Sequence, residues 1–172
     1  HLVMRHNNEG DYLMTGELVR GGYDYPDFEP KVIIDGGANI GMFAVQAATR
    51  FPKAKVVCYE PDSSNFQTLT KNISLNDLAI ETQPLGLWSK DCTLYYHAKT
   101  SETGYVDETP PGIPIECTLP AIEEDTWLKL DVEGAEYEIL PALFEKGQYP
   151  RWITMEIHYF DTKGQSILNL LK

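Results

Sequence analysis

The stretch Val32-Ile33-Ile34-Asp35-Gly36-Gly37-Ala38-Asn39-Ile40-Gly41 constrains this chain more than any other. A short β-branched apolar run reads as a strand buried on both faces. Glycines then make a tight turn. Ile40, Phe43, Ala44, Ala47, Ala48 and Phe51 follow at the spacing of an amphipathic helix, which Pro52 stops. A strand fed through a glycine turn into a helix is the opening of a βαβ unit, so a parallel sheet is expected.

The remaining chain repeats the alternation. Lys55–Tyr59 reads as a second buried strand, and Asp62 or Ser63 caps a second helix that ends near Asn76. Residues 80–88 read as a third strand. Residues 93–97 and 113–118 read as the two sides of a hairpin, separated by turn formers that include Pro110-Pro111-Gly112. Residues 127–132 form a fourth strand, Ala135 to about Lys146 a helix that Pro141 kinks or restarts, 152–158 a fifth strand and 165–171 a last helix. Residues 1–30 are polar, with short apolar pieces at Leu13-Met14 and Glu17-Leu18-Val19. They read as an extension packed on a single domain spanning 31–172. The fold class is α/β: a Rossmann-like, mostly parallel sheet with helices on both faces and a β-hairpin insertion.

Charge narrows the partners. Fourteen Lys and Arg against 26 Asp and Glu leave a net −12. Such a surface repels phosphate backbones and anionic membranes, so neither nucleic acid nor a membrane is an expected partner. No apolar run reaches the roughly 18 residues of a membrane span, and none follows His1–His6 as a signal peptide would require. Cys58, Cys92 and Cys117 are odd in number and widely spaced, which suits reduced thiols in a cytoplasmic protein. The glycosylation sequon at Asn72 falls inside a predicted helix and is discounted.

Open parallel sheets bind ligands beyond the carboxyl ends of their strands. From Gly36 the first turn runs G-x-A-x-x-G and lacks the middle glycine that admits a pyrophosphate. Asp35 places a carboxylate before the turn, which disfavours a diphosphate and suits a cation. Glu60 ends the second strand, where an acidic side chain can accept both hydroxyls of an adenosine ribose. S-adenosylmethionine, with a sulfonium, an ammonium and no phosphate, fits that pair. NAD sites use the same ribose device.

Four segments in order, Ile34–Gly41, Tyr59-Glu60-Pro61-Asp62, Leu128–Glu136 and Met155-Glu156-Ile157-His158, resemble the successive motifs of the FkbM family. These are class I S-adenosylmethionine-dependent methyltransferases, typically O-methyltransferases. The resemblance implies a cofactor site of Asp35, Gly37, Asn39 and Gly41 at the first turn, Glu60 on the ribose and Asp131 near the methionine end. It places residues 86–89 by the adenine. It also implies seven strands, the last two an antiparallel pair. The sequence ends at Lys172 after five core strands, so the domain is expected to be incomplete at its C-terminal end.

Methyl transfer to an alcohol needs alignment and a base. His158 is the first candidate base, with Glu156 two residues back on the same strand face and Asp131 and Glu133 at the end of the neighbouring strand. A carboxylate neighbour favours the protonated imidazole, and Asp131 or Glu133 can then take the proton instead. Each has a plainer reading: His158 as a hydrogen-bonded strand end, Glu133 as a charge at a helix N-terminus. Asp131, Glu133 and His158 have ligand types that suit a divalent metal, but the resemblance requires none and none is expected. Tyr95, Tyr96, Tyr105 and Tyr159 could line an acceptor pocket or serve packing. The expected function is O-methylation of a small molecule or sugar. The alternatives are an NAD-dependent oxidoreductase with a degenerate turn and a cofactor-binding module without turnover. The sequence does not specify the acceptor or the oligomeric state.

Overall fold

A computed structural model describes residues 1–4, 24–98 and 104–172. The elements in chain order are β1 (Val32–Gly36), α1 (Met42–Arg50), β2 (Lys55–Tyr59), α2 (Ser63–Leu75), β3 (Ile80–Gln83), β4 (Gly86–Leu87) and β5 (Cys92–Ala98). They continue with β6 (Gly104–Asp107), β7 (Ile113–Thr118), β8 (Thr126–Leu130), α3 (Glu136–Glu145), β9 (Trp152–Met155) and α4 (Phe160–Leu170). The main sheet has the order β3-β2-β1-β8-β9, and every neighbouring pair in it whose register is described runs parallel.

Alternation along the strands sorts side chains into two cores. Ile33, Val56, Cys58 and Trp127 point to one face and pack with Phe43, Ala44, Ala47, Phe51, Leu69 and Ile73 of the α1 and α2 layer. Val32, Ile34, Leu128 and Leu130 point to the other and meet Ile139, Leu140 and Leu143 of α3 and Ile167 of α4. Each fully buried Leu or Ile contributes about 1.5–3 kcal/mol. Trp127 is the largest buried side chain. It sits edge-on to Phe43 and Phe51 at centroid distances of 5.0 and 6.0 Å, and its Nε1 donates to Thr154 Oγ1 at 3.0 Å.

The described parts of the N-terminal segment touch this frame. Tyr25 lies 5.8 Å from the Trp127 ring, and Val3 exchanges two hydrogen bonds with the Asn72 side chain. Asn72 also donates to Ile40 O at 2.8 Å and is wholly buried, so the sequon is closed to modification in the folded chain. Leu13-Met14 and Glu17-Leu18-Val19 lie outside the described residues. Asp62 caps α2 by accepting from Ser64 N and Asn65 N.

Four segments differ from the sequence reading. The expected third strand splits: β3 stays in the main sheet, while β4 pairs with β7 in a second sheet of order β4-β7-β5-β6. Pro84 separates the two, and without an N–H it cannot continue a ladder. Strands β5 and β7 do pair antiparallel as expected, but β6 adds a strand on the far side of β5. The fifth strand ends at Met155, three residues short of His158, and the last helix starts at Phe160 instead of Gln165. Pro141 is accommodated within α3. Cys58, Cys92 and Cys117 are free. Among the described residues no helix is long and apolar enough to cross a membrane.

Candidate active site

The first turn closes against both neighbouring strands. Gly37 has φ +71°, and a Cβ there would stand 1.8 Å from the Asp131 carbonyl oxygen, a backbone atom that cannot step aside. Gly41 also has a left-handed backbone, at φ +85°, which an L side chain rarely adopts, and a Cβ there would meet the Leu69 Cδ1 at 2.5 Å. Gly37 N and Ala38 N both donate to Tyr59 O at 3.0 Å, and Gly41 N donates to Ala38 O at 2.8 Å. Asn39, at φ 51°, donates its amide to Glu60 Oε2 at 2.8 Å.

Asp35 lies beneath this turn with no solvent exposure. Its partner is Lys129, the residue directly opposite in the β1–β8 register. Lys129 Nζ stands 3.0 Å from Asp35 Oδ1 and donates to Gly37 O at 2.8 Å. The ion pair falls outside hydrogen-bond alignment, so both Asp35 oxygens lack a hydrogen-bond partner among the described residues. Burial pushes the Asp35 carboxyl up, and Lys129 opposes that. Asp35 is therefore a sealed charge, not one exposed to a ligand.

Glu60 is also buried, but both of its oxygens accept hydrogen bonds, and Oε2 keeps acceptor capacity. Oε1 accepts from Asp62 N at 2.9 Å and from Asn65 Nδ2 at 3.4 Å, while Oε2 takes the Asn39 amide. It ties the β1–α1 turn to the start of α2. Burial outweighs these bonds and holds its pKa at about 7. Near it, Tyr96 of β5 has its phenol pushed up, by burial first and then by the Asp62, Glu60 and Glu133 carboxylates. The second sheet thus brings Tyr96 to the same strand-end region.

The β8 and β9 ends gather the third group. Asp131 follows β8, its amide bonded to Gly36 O at 3.0 Å. Lys129 Nζ reaches Asp131 Oδ2 at 3.9 Å. Glu133 takes a left-handed backbone at φ 54° in the loop before α3. His158 lies in the turn beyond β9, where its Nε2 stands 3.5 Å from Glu133 Oε2 and 3.7 Å from Glu156 Oε1. The expected neighbourhood of His158 with Glu133 and Glu156 therefore forms, through a turn instead of a shared strand face.

Sequence reasoning missed Glu136 and Lys129. Glu136, wholly buried in the first turn of α3, accepts from His158 N at 2.7 Å and from Gly134 N at 2.9 Å. Its Oε1 stands 3.6 Å from His158 Nδ1, just beyond hydrogen-bond length. The Glu136 carboxylate, with Glu133 and Glu156, pushes His158 up to about 9 against the effect of burial. Tyr137 fixes the same turn by donating to His158 O at 2.6 Å. A Glu at the end of the third quoted motif segment was the one available signal for Glu136. Lys129 had a weaker one: a lone cation among the apolar residues Trp127, Leu128 and Leu130.

Known proteins share this arrangement of sequence. The chain is 26% identical over 154 residues to methyltransferase 1 of Beauveria bassiana, covering 70% of this chain and 62% of that protein. It is 26% identical over 146 residues to the hexuronic acid methyltransferase AglP of Haloferax volcanii, covering 76% and 57% respectively. The chain thus spans about three fifths of the length of these two relatives. The crystal structure of methyltransferase FkbM from Methylobacillus flagellatus KT superposes with a TM-score of 0.59 at 19% identity, over 88% of this chain and 39% of that one, which is a likeness of fold. Residues 35–172 match the family described as the methyltransferase FkbM domain, a span that begins at Asp35 and takes in every strand-end residue above. The chain belongs to the FkbM methyltransferase domain family.

Proposed function

We propose that this protein is an S-adenosylmethionine-dependent methyltransferase that methylates a hydroxyl of a small molecule or sugar. The observation that carries this reading is the use of the amides in the first turn. A phosphate-binding turn presents free backbone N–H groups to its ligand. Here the amides of Gly37, Ala38, Asn39 and Gly41 are bonded to Tyr59 O, Glu60 and Ala38 O. The turn therefore offers a diphosphate little. That disfavours NAD and fits a phosphate-free, cationic cofactor.

The residues present fit that cofactor. The backbone of Gly37, Asn39 and Gly41 shapes its cradle, Glu60 accepts the ribose hydroxyls, and Asp131 faces the methionine end. Asp35 acts from beneath, through Lys129 and the turn. The bound cofactor supplies an activated methyl group. The acceptor hydroxyl gives its proton to Asp131 or Glu133 as its oxygen bonds to the methyl carbon. The carbon–sulfur bond breaks, and sulfur keeps the electron pair. His158, held at about 9, is protonated at neutral pH and orients the acceptor as a donor instead of serving as the base. The hexuronic acid methyltransferase among the relatives supports a sugar-type acceptor.

Calorimetry with S-adenosylhomocysteine and with NAD tests the reading. We expect the first to bind and the second not. Glu60→Ala should lose one or two charge-assisted bonds of about 1.5–3 kcal/mol each. NAD binding in place of S-adenosylhomocysteine, or unchanged affinity in Glu60→Ala, would overturn the assignment.

A further inference from the structure

We propose that Cys92 and Cys117 are a thiol pair that a disulfide oxidant converts into a cross-strand disulfide, locking β5 onto β7. The two residues lie directly opposite each other in the antiparallel β5–β7 register. Facing residues in such a ladder have Cα atoms about 4.5–5.5 Å apart and side chains on the same face. A disulfide spans Cα atoms about 4.4–6.8 Å apart, so the backbone need not move to accept one. Both thiols are free, and both pack into one small cluster with Leu94, Ile115 and Trp88.

The other side of β7 gives Cys117 a resting place in the thiol form. Its register partner there is Gly86 of β4. A Cβ on Gly86 would stand 2.8 Å from Cys117 Sγ, so the sulfur lies over the bare glycine. Rotation about the Cα–Cβ bond to another staggered position carries it from Gly86 toward Cys92. The pair is also close to the first turn. Leu87, next to Gly86, has its Cδ1 2.6 Å from where a Cβ on Gly36 would be. Cys58 has no such thiol opposite: its register partners in the main sheet are Asp35 and Thr82.

Cys92 is partly exposed and Cys117 is buried, so an outside oxidant meets Cys92 first. Cys92 loses its proton to solvent, and its sulfur attacks one sulfur of glutathione disulfide. A Cys92–glutathione bond forms, and the other glutathione leaves as a thiolate. Cys117 then loses its proton, attacks the Cys92 sulfur and expels the second glutathione. Two protein thiols are oxidised, and one glutathione disulfide is reduced to two glutathiones. Burial pushes the Cys92 thiol up; Lys90 opposes this, while Glu108, Asp91 and Glu116 add to it. Burial, then Cys92 and Glu116, push Cys117 up to about 12, against the Gly86 amide. The thiolate is the nucleophile, so the pair oxidises slowly at neutral pH and faster as pH rises. Once formed, the bond fixes the sheet that brings Tyr96 to the strand ends.

The test is oxidation of the folded full chain with glutathione disulfide, followed by alkylation of the remaining thiols and peptide mass mapping. A Cys92–Cys117 link is expected, with Cys58 left as a thiol, and dithiothreitol should reverse it. Between about pH 7 and 8.5 the initial rate should rise about tenfold per pH unit, as the thiolate fraction does. Cys92→Ser should abolish the link. Cys117→Ser should stop at the Cys92–glutathione adduct, and Cys58→Ser should form the link as the wild type does. Circular dichroism identifies any variant that fails to fold, and the alanine substitution then replaces the serine one. A folded wild-type chain that keeps both thiols, holds glutathione on Cys92 without closing the bond, or links Cys58 instead overturns the proposal. So does a rate that is flat with pH. No readout uses a cofactor or an acceptor, so the result stands apart from the methyltransferase reading.

Discussion

Two groups of charge lie within a few ångströms of each other and behave differently. Asp35 and Lys129 are sealed between β1, β8 and the first turn, with side-chain exposures of 0% and 3%. Asp131, Glu133, Glu156 and His158 stand at the open ends of β8 and β9, with side-chain exposures from 16% for His158 to 65% for Glu156. Lys129 joins the groups by reaching both Asp35 and Asp131. Similar residue types thus serve opposite ends. A buried pair in a dry register position fixes the turn, because losing one partner strands the other. An open cluster leaves its side chains within reach of solvent, and its members cost little individually when changed.

The largest expected effect breaks the sealed side. Lys129→Met leaves Asp35 uncompensated and should cost about 3–5 kcal/mol in urea unfolding. Adding Asp35→Asn should restore much of that loss. A single substitution that costs under about 1 kcal/mol would mean that the pair is not what holds the turn. Glu60 lies between the two regimes, buried yet bonded at both oxygens, and pH sharpens its place. Its folded pKa of about 7 exceeds the ordinary 4.5. The stability this adds is complete below about pH 4.5 and is lost as pH rises through about 7, up to roughly 3 kcal/mol in the absence of ligand. Glu60→Gln, which keeps the neutral form, should flatten that slope in melts between pH 5 and 8. An unchanged slope would show that another group titrates there. The smallest effect belongs to the open side: Glu156→Gln should shift stability by no more than about 0.5 kcal/mol. A larger loss would mean that the cluster carries structure as well as chemistry.

Much of this frame is legible in the sequence. Local patterns carry it: β-branched runs for β1 and β2, helical spacing in α1, Asp62 as a cap, glycines where the turn needs φ > 0. The residues just past the strands were legible for the same reason, since parallel topology delivers them to one edge. The misses share a cause. β6, the break at Pro84 and the early end of β9 depend on which strand a segment finds as its neighbour. The site residues that escaped, Lys129 and Glu136, act on groups 94 and 22 positions away.

The sequence by itself determined the α/β alternation, the glycine turn after β1, the membership of the FkbM domain family and the excess of carboxylates at the strand ends. These are periodicities and short motifs, readable without knowing what touches what. Only the tertiary structure decided which of those carboxylates is sealed and which stays open. Burial and partner choice are set by packing between distant segments: Lys129 falls opposite Asp35 in the β1–β8 register, and Glu136 reaches back from α3 to the turn that carries His158. In a low-dielectric interior such placement, not residue type, decides whether a charge holds the fold or meets a ligand.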